Sequence, residues 1–362
     1  MAERRGERLA ALRDSLSRAN LDGLLLTSLP NIRYITGFTG SSALAVVTER
    51  DALLITDFRY ETQVREEVGD LARVQIEAQS LWDGLWRLLP DAGLAEVVGF
   101  ESAYISHRDF ERLLGAGGRW QWRPTVDVVE SLRARKDADE VALIGAAAEV
   151  AARALERTVR LVRAGMTEIQ IAGILEQSLR NEGSEGFPFE SIVASGPRSA
   201  LPHARPSHRP LVRGDFLLID FGAIVSGYCS DVTRTFVFGS ATAEQREIYE
   251  IVLGANELAA SEVRAGMSGR DADALARRYI EGRGYGREFG HSLGHGIGLE
   301  VHEAPRLART ADAALPEYSV VTIEPGIYRA DWGGIRIEDD VLLDPGGPRI
   351  LTNVPRELLE IG

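Results

Sequence analysis

Val162-Arg163-Ala164-Gly165-Met166-Thr167 recurs 101 residues later as Val263-Arg264-Ala265-Gly266-Met267-Ser268. Each copy follows a long helix-like stretch and precedes an amphipathic one, Glu168 to Leu179 and Arg270 to Ile280, where apolar residues return at helical spacing. Each then reaches a Gly-rich loop, an aromatic residue and a histidine. Two acids close each half: Asp220 and Asp231 in the first, Glu324 and Glu338 in the second, the matching acids lying 104 and 107 residues apart. One hexapeptide match can arise by chance. A match in register with both acid pairs predicts a duplicated α/β unit facing itself, with a carboxylate pair from each half at a pseudo-twofold axis. Two copies are too few for a solenoid.

The acids sit where a chain normally spends residues on packing. Asp220 closes Phe216-Leu217-Leu218-Ile219, Asp231 lies in Cys229-Ser230-Asp231-Val232-Thr233, Glu324 follows Val320-Val321-Thr322-Ile323, and Glu338 follows Gly334-Ile335-Arg336-Ile337. A buried carboxylate is costly unless a cation meets it. Asp220 and Asp231 flank a stretch with two glycines, Gly222 and Gly227, which predicts a hairpin with the acids on neighbouring antiparallel strands. Arg336 and Glu338 have a period-2 relation in a strand expected over Ile335 to Leu342, so they share a face, with Arg336 as counter-ion or ligand contact.

Five of the six histidines fall between residues 203 and 302. His295 lies in Leu293-Gly294-His295-Gly296-Ile297-Gly298, where three glycines allow close backbone approach and leave the ring reachable. Asp220, Asp231, His295, Glu324 and Glu338 thus form an oxygen-rich ligand set with one nitrogen and no thiolate. Two divalent ions would relieve the mutual repulsion and supply a reactive hydroxide. This donor chemistry suits Mn²⁺, Co²⁺ or Zn²⁺ and disfavours Ca²⁺. His302, in Val301-His302-Glu303, can donate to an oxyanion beside such a pair. His203, in Leu201-Pro202-His203, follows a turn and can face substrate. His208 lies in a Pro- and Arg-rich loop and reads as solvated.

Upstream, short strand-like runs (Leu24 to Leu26, Ala43 to Val47, Leu53 to Ile55, Val97 to Phe100) alternate with helix-like segments (Tyr60 to Val68, Leu81 to Leu89, and one opened by Ser106). This predicts an α/β domain over residues 1–131. A charged segment at Leu132 to Asp139 then leads into an Ala-rich helix, roughly Asp139 to Val162, opening a second domain, 132–362. Asp57-Phe58-Arg59-Tyr60 closes a strand and opens a helix, so Asp57 serves as an N-cap in the plainest assignment.

The chain has 41 basic and 54 acidic residues, a formal charge of −13, which disfavours nucleic acid or an anionic membrane as partner. Its longest apolar runs are far below the roughly 20 residues that span a bilayer. The N-terminal residues lack the apolar core of a secretory signal. The single Cys229 excludes an internal disulfide and reads as a small buried filler. These features fit a cytoplasmic protein.

With these residues in place the chain resembles the pita-bread metallopeptidases, and within them the Xaa-Pro peptidases, aminopeptidase P and prolidase. The likeness rests on the Asp220, Asp231, His295, Glu324, Glu338 order, on Ile192 to Gly196 leading to Ala200-Leu201-Pro202-His203, on His291 to Glu303, and on Ile323-Glu324-Pro325-Gly326-Ile327-Tyr328. It implies a creatinase-like N-terminal α/β domain and an α+β pita-bread catalytic domain with an internal pseudo-twofold repeat. It further implies that Asp231 and Glu338 bridge two divalent ions, Mn²⁺ foremost, with Asp220 completing one shell and His295 with Glu324 the other. A hydroxide held between the metals would attack the carbonyl before proline while Glu324 shuttles its proton. The likeness also implies that His302 stabilises the oxyanion and that His203 and His291 line the cleft, with Tyr328 and Arg336 near the proline. Homodimers are usual in such proteins. The Gly37 to Ala43 segment is short and uncharged and offers no cation for a free proline carboxylate. The expectation is therefore an enzyme for peptides with proline second that prefers chains longer than dipeptides, with prolidase action as the alternative. A non-catalytic pita-bread binding module is the reading from another class, and retention of all five ligands speaks against it.

Overall fold

The computed structural model describes every residue except Met1, Ala95 and Gly117. The described residues divide into two compact units, Met1–Arg133 and Ala134–Gly362. In the first, strands β1 (Gly23–Leu26), β2 (Ala43–Thr48), β3 (Ala52–Asp57), β4 (Arg73–Glu77), β5 (Val97–Glu101) and β6 (Gln121–Thr125) form one mixed sheet in the order β4-β3-β2-β1-β5-β6. Helices α1 (Ala2–Arg18), α2 (Leu29–Thr36), α3 (Glu61–Val68), α4 (Leu81–Leu88), α5 (His107–Ala116) and α6 (Val128–Arg133) accompany it. β1, β2 and most of β3 are buried along their whole length, which explains why they read as continuous apolar runs rather than alternating ones. Asp57 caps a 3-10 turn, Phe58–Tyr60, by accepting from Arg59 N, so α3 starts at Glu61 rather than Tyr60. The Arg59 guanidinium bonds the same carboxylate and holds its pKa down at about 2.

The second unit is a duplication. Its first half runs α7 (Ala138–Leu161), α8 (Glu168–Asn181), β7 (Ile192–Ser195), β8 (Phe216–Phe221), β9 (Ile224–Val225), β10 (Tyr228–Cys229) and β11 (Val232–Phe238). Its second runs α9 (Ala243–Glu262), α10 (Gly269–Glu281), β12 (Gly294–Gly296), β13 (Glu303–Leu307), β14 (Val320–Ile323), β15 (Gly326–Arg329), β16 (Gly333–Arg336) and β17 (Asp339–Asp344), followed by β18 (Gly347–Ile350) and β19 (Glu360–Ile361). β8 pairs antiparallel with β11 and β14 with β17, each pair enclosing a small hairpin, β9-β10 or β15-β16.

The repeated hexapeptides adopt one conformation. Val162 and Val263 leave their helices at nearly the same dihedrals, φ −63, ψ 131 and φ −60, ψ 134. Gly165 and Gly266 take φ +79 and +85, which a side chain rarely adopts. Gly165 N donates to Leu211 O and Leu211 N to Met166 O; Gly266 N donates to Leu315 O and Leu315 N to Met267 O. Thr167 and Ser268 then cap α8 and α10, each cap worth about 1 kcal/mol. The helix pair α7/α8 packs Ile171, Leu175 and Leu179 against Leu217, Ile219 and Phe236, while α9/α10 packs Ile248, Val252 and Ile280 against Val321, Ile323 and Val341. Each half therefore buries its own sheet face under helices.

The strand expected over Ile335 to Leu342 is two strands. Arg336 ends β16, which pairs with β15, and Asp339 starts β17, which pairs with β14. The chain changes partner at Ile337 and Glu338: Glu338 N donates to Thr233 O at 3.1 Å, and Asn256 Nδ2 takes the carbonyls of Ile323 and Ile337. In the first half the turn of the expected hairpin falls at Ser226 and Gly227, φ +46 and +78. Gly222 serves close approach instead, since a Cβ there would strike Ser230 O. Asp220 lies on β8, and Asp231 stands immediately before β11.

Candidate metal centre

The five ligand candidates converge. Among the described residues, Asp231, His295 and Glu338 each offer a ligating atom within 4.8 Å of the other two. His295 Nε2 also lies 3.4 Å from Glu324 Oε1 and 3.9 Å from Asp231 Oδ2. Asp220 joins through Arg336, whose Nη2 donates to Asp220 Oδ2. Arg336 and Glu338 stay close although the strand breaks between them, both bonding the Thr233 hydroxyl, while the guanidinium also reaches across to β8.

Each side chain is held by its local backbone. His295 is central in β12, and its Nδ1 lies 3.1 Å from Gly296 O. A carbonyl only accepts, so Nδ1 carries the proton and Nε2 presents its lone pair to the acids. Burial first, then the neighbouring His302, lowers the His295 pKa to about 4, which keeps the ring neutral. The flanking glycines are required: a Cβ on Gly294 would strike Thr322 O, and one on Gly296 would strike Ala304 O. His295 N donates to Thr322 Oγ1 at 3.0 Å, so the Thr322 hydroxyl proton points to Glu324 Oε1 at 3.1 Å. Arg336 Nε likewise donates to Thr233 Oγ1 at 3.0 Å, which sends that hydroxyl proton to Glu338 Oε2 at 2.5 Å.

The electrostatics suit a cation. Burial, followed by repulsion from Glu338 and Asp220, raises Asp231 well above the carboxylate range. Burial, then Glu324 and Asp220, does the same to Glu338, and burial pushes Glu324 to about 8. Asp220 Oδ1 and Asp231 Oδ1 are buried and take no hydrogen bond among the described residues. Buried acceptors without donors are expensive, and a divalent cation meets both needs with the hard oxygen and imidazole donors it prefers. The residues present fit the group.

His302 stands outside the ligand cluster, its ring centroid 4.3 Å from that of His295. His291 Nδ1 faces Ser292 O at 2.8 Å, so its Nε2 accepts from the Tyr328 hydroxyl at 2.9 Å; that oxygen in turn accepts from Arg336 Nη1 at 2.7 Å. Burial lowers His291 to about 4 and raises Tyr328 to about 12. Arg336 Nη1 also donates to Pro202 O, at 3.3 Å, beside His203. His203 and His208 are exposed. Cys229 is buried.

Several supporting residues escaped the sequence reading. Thr322 lies two positions before Glu324, a spacing that could have flagged it as a same-face partner, whereas Thr233 bonds Glu338 and Arg336 far along the chain. Asp340 accepts from Asp231 N at 3.1 Å. The Asp273–Arg277 pair on α10 holds Leu293 N, Phe289 O and His291 O, fixing the approach to β12. A charged pair at i,i+4 looks like a solvated helix face; only packing reveals that this one is buried.

Residues 142–345 match the model of metallopeptidase family M24, and residues 8–135 match the creatinase/prolidase N-terminal domain. The Xaa-Pro dipeptidase of Pyrococcus furiosus is 36% identical over 355 residues, covering 98% of this chain and 99% of that protein. Among solved structures, a Xaa-Pro dipeptidase from Bacillus anthracis superposes with a TM-score of 0.95 at 39% identity, covering 99% of this chain and all of that one. An X-Pro aminopeptidase from Thermotoga maritima superposes with a TM-score of 0.91 at 40% identity, over 98% of this chain and 99% of that one.

Proposed function

The chain belongs to metallopeptidase family M24, and we propose that it hydrolyses the Xaa-Pro bond of dipeptides. The observation that carries a metal-dependent reading is the cluster of Asp231, His295 and Glu338 with the unpartnered buried oxygens of Asp220 and Asp231. The dipeptide preference draws its support from the relatives named Xaa-Pro dipeptidase, and it replaces the expectation of a preference for longer peptides. Arg336 bonds Asp220 directly, a group also placed to hold metal, and its Nη1 donates only to the neutral Tyr328 and Pro202 oxygens. Arg336 thus keeps charge to offer a proline carboxylate.

Asp220, Asp231, His295, Glu324 and Glu338 would hold two divalent ions, Mn²⁺ foremost and Co²⁺ or Zn²⁺ as alternatives. Bound metal supplies Lewis acidity and an activated water. Glu324, oriented by Thr322, takes the proton from the attacking water and passes it to the proline nitrogen. His302 donates to the oxyanion. His203 and His291 line the cleft, and Tyr328 with Arg336 orients the proline end. No helix among the described residues is long and apolar enough to cross a membrane, and we assign the enzyme to the cytoplasm as a homodimer without nucleic-acid partners.

A preference for longer peptides is the second reading, favoured by the X-Pro aminopeptidase neighbour. Turnover of matched Xaa-Pro and Xaa-Pro-Xaa peptides with added Mn²⁺ separates the two. Faster cleavage of the dipeptide is expected; faster cleavage of the tripeptide would reverse the assignment. Purified protein that neither binds metal nor cleaves either peptide would make it a binding module.

A further inference from the structure

Glu168 is the first residue of α8, wholly buried, and plays no part in the chemistry above. Its carboxylate gathers five donors. Oε1 accepts from Ser195 N at 2.7 Å and Ser195 Oγ at 2.9 Å; Oε2 accepts from Arg198 Nε at 3.0 Å, Ser207 N at 2.9 Å and Ser207 Oγ at 2.6 Å. The hydroxyls have no other direction to point. Ser195 Oγ already accepts from Arg209 Nη1, and Ser207 Oγ from Arg209 N. Burial pushes the Glu168 pKa up, yet the bonds from Ser207 and Ser195 outweigh it and leave the carboxyl below its ordinary value. Arg198 also donates to Arg205 O at 2.6 Å, crossing the loop between the two serines. That loop carries His203.

The other half solves the same problem differently. Glu168 N donates to Arg209 O and Ile169 N to Ser207 O, just as Gly269 N donates to Ala313 O and Arg270 N to Ala311 O, so Gly269 is the counterpart of Glu168. The isolated bridges Thr167 to Pro210 and Ser268 to Ala314 match as well. At Gly269 a side chain is forbidden, because a Cβ would strike Arg306 O. There the connection bearing His302 returns as β13 and pairs with β12, Gly294 opposite Leu307 and His295 opposite Arg306. His302 is placed by strand pairing. The loop of His203 is tied at both ends to one carboxylate.

We propose that Glu168 is a positioning residue for His203, its carboxylate standing in for the strand pairing of the other half and setting where residues 196–207 carry that imidazole. The proposal rests on the reading of His203 as a cleft residue. Its place beside the site is marked by the bond from Arg336 Nη1 to Pro202 O.

The test combines amide hydrogen exchange with a double-mutant cycle in the Mn²⁺-loaded enzyme. Glu168→Gln, and the milder Ser207→Ala if the first folds poorly, should speed exchange across residues 196–207 while metal content stays at the wild-type level. On whichever of the two peptides the wild type cuts faster, Glu168→Gln should lower kcat/KM on the order of 10–100-fold, but less than about twofold in a His203→Ala background. Unchanged loop exchange in both variants, or equal losses with and without His203, would overturn the proposal. A His203→Ala enzyme with full turnover would remove His203 from the reaction and defeat the earlier reading, while loop exchange would still decide the clamp.

Discussion

Replacing Thr233 with valine removes one hydroxyl and almost no volume, and it should damage the site out of proportion to its size. Thr233 is wholly buried on β11. Its hydroxyl donates to Glu338 Oε2 at 2.5 Å and accepts from Arg336 Nε at 3.0 Å. The first bond goes to a carboxyl that burial keeps protonated without metal, worth about 0.5–1.5 kcal/mol, and loss of the second strands a buried cationic donor at about 1–3 kcal/mol. The backbone bonds of Thr233 O to Glu338 N and to Arg234 Nη1 survive the change, so the two losses stand nearly alone. About 3 kcal/mol is expected from the metal-free protein, or roughly 6–12 °C in Tm for a unit of this size. Glu338 also loses the contact that fixes its rotamer, and an orienting partner of a metal ligand typically carries about 10–100-fold in affinity. Scanning calorimetry of chelated protein and titration with Mn²⁺ read the two effects separately. Thr233→Ser, which keeps the hydroxyl, should recover most of both. A valine variant within about 0.5 kcal/mol of wild type and equal in metal affinity would refute the claim that this hydroxyl orders the site.

His302→Ala should lower turnover on the order of 10²–10³-fold with bound metal unchanged by elemental analysis, because the ring lies against His295 and outside the ligand cluster; loss of metal would make His302 a ligand. Gly294→Ala should abolish metal binding or folding, since the new methyl would have to displace the Thr322 carbonyl beside the His295 and Glu324 supports; normal metal titration would show that β12 can move aside. Glu168 also predicts a pH dependence. Its folded pKa lies below its ordinary value, so its stabilisation is present above the carboxylate range and is lost as pH falls through the folded pKa. The Tm gap between wild type and Glu168→Gln should therefore be full above the ordinary carboxylate range and shrink as pH falls below it; a gap that stays constant would mean the carboxylate charge does not matter.

The candidate ligand residues, their order and the duplication were legible in the chain because each leaves a local mark. Acids closing apolar runs, a histidine among glycines and a hexapeptide returning in register need no partner to be noticed. Helices α3, α4, α7, α8 and α10 followed from periodicity and caps, their ends shifting by only a residue or two, whereas α1, α2 and α6 were not anticipated. What tertiary structure decided was pairing. Arg336 and Glu338 are two residues apart and were expected to share one strand face, yet the sheet exchanges partners between them, and Arg336 answers Asp220, far earlier in the chain. Strand alternation is visible in a sequence, but the point at which a strand trades one neighbour for another is set by packing, here by Asn256 and Thr233. The Glu168 clamp is hidden for the same reason. A glutamate after a capping threonine looks like an ordinary first-turn acid, and nothing nearby in sequence announces that Ser195, Arg198 and Ser207 will fold onto it. Sequence displays which groups are costly to bury; only the folded chain shows which donors meet that cost.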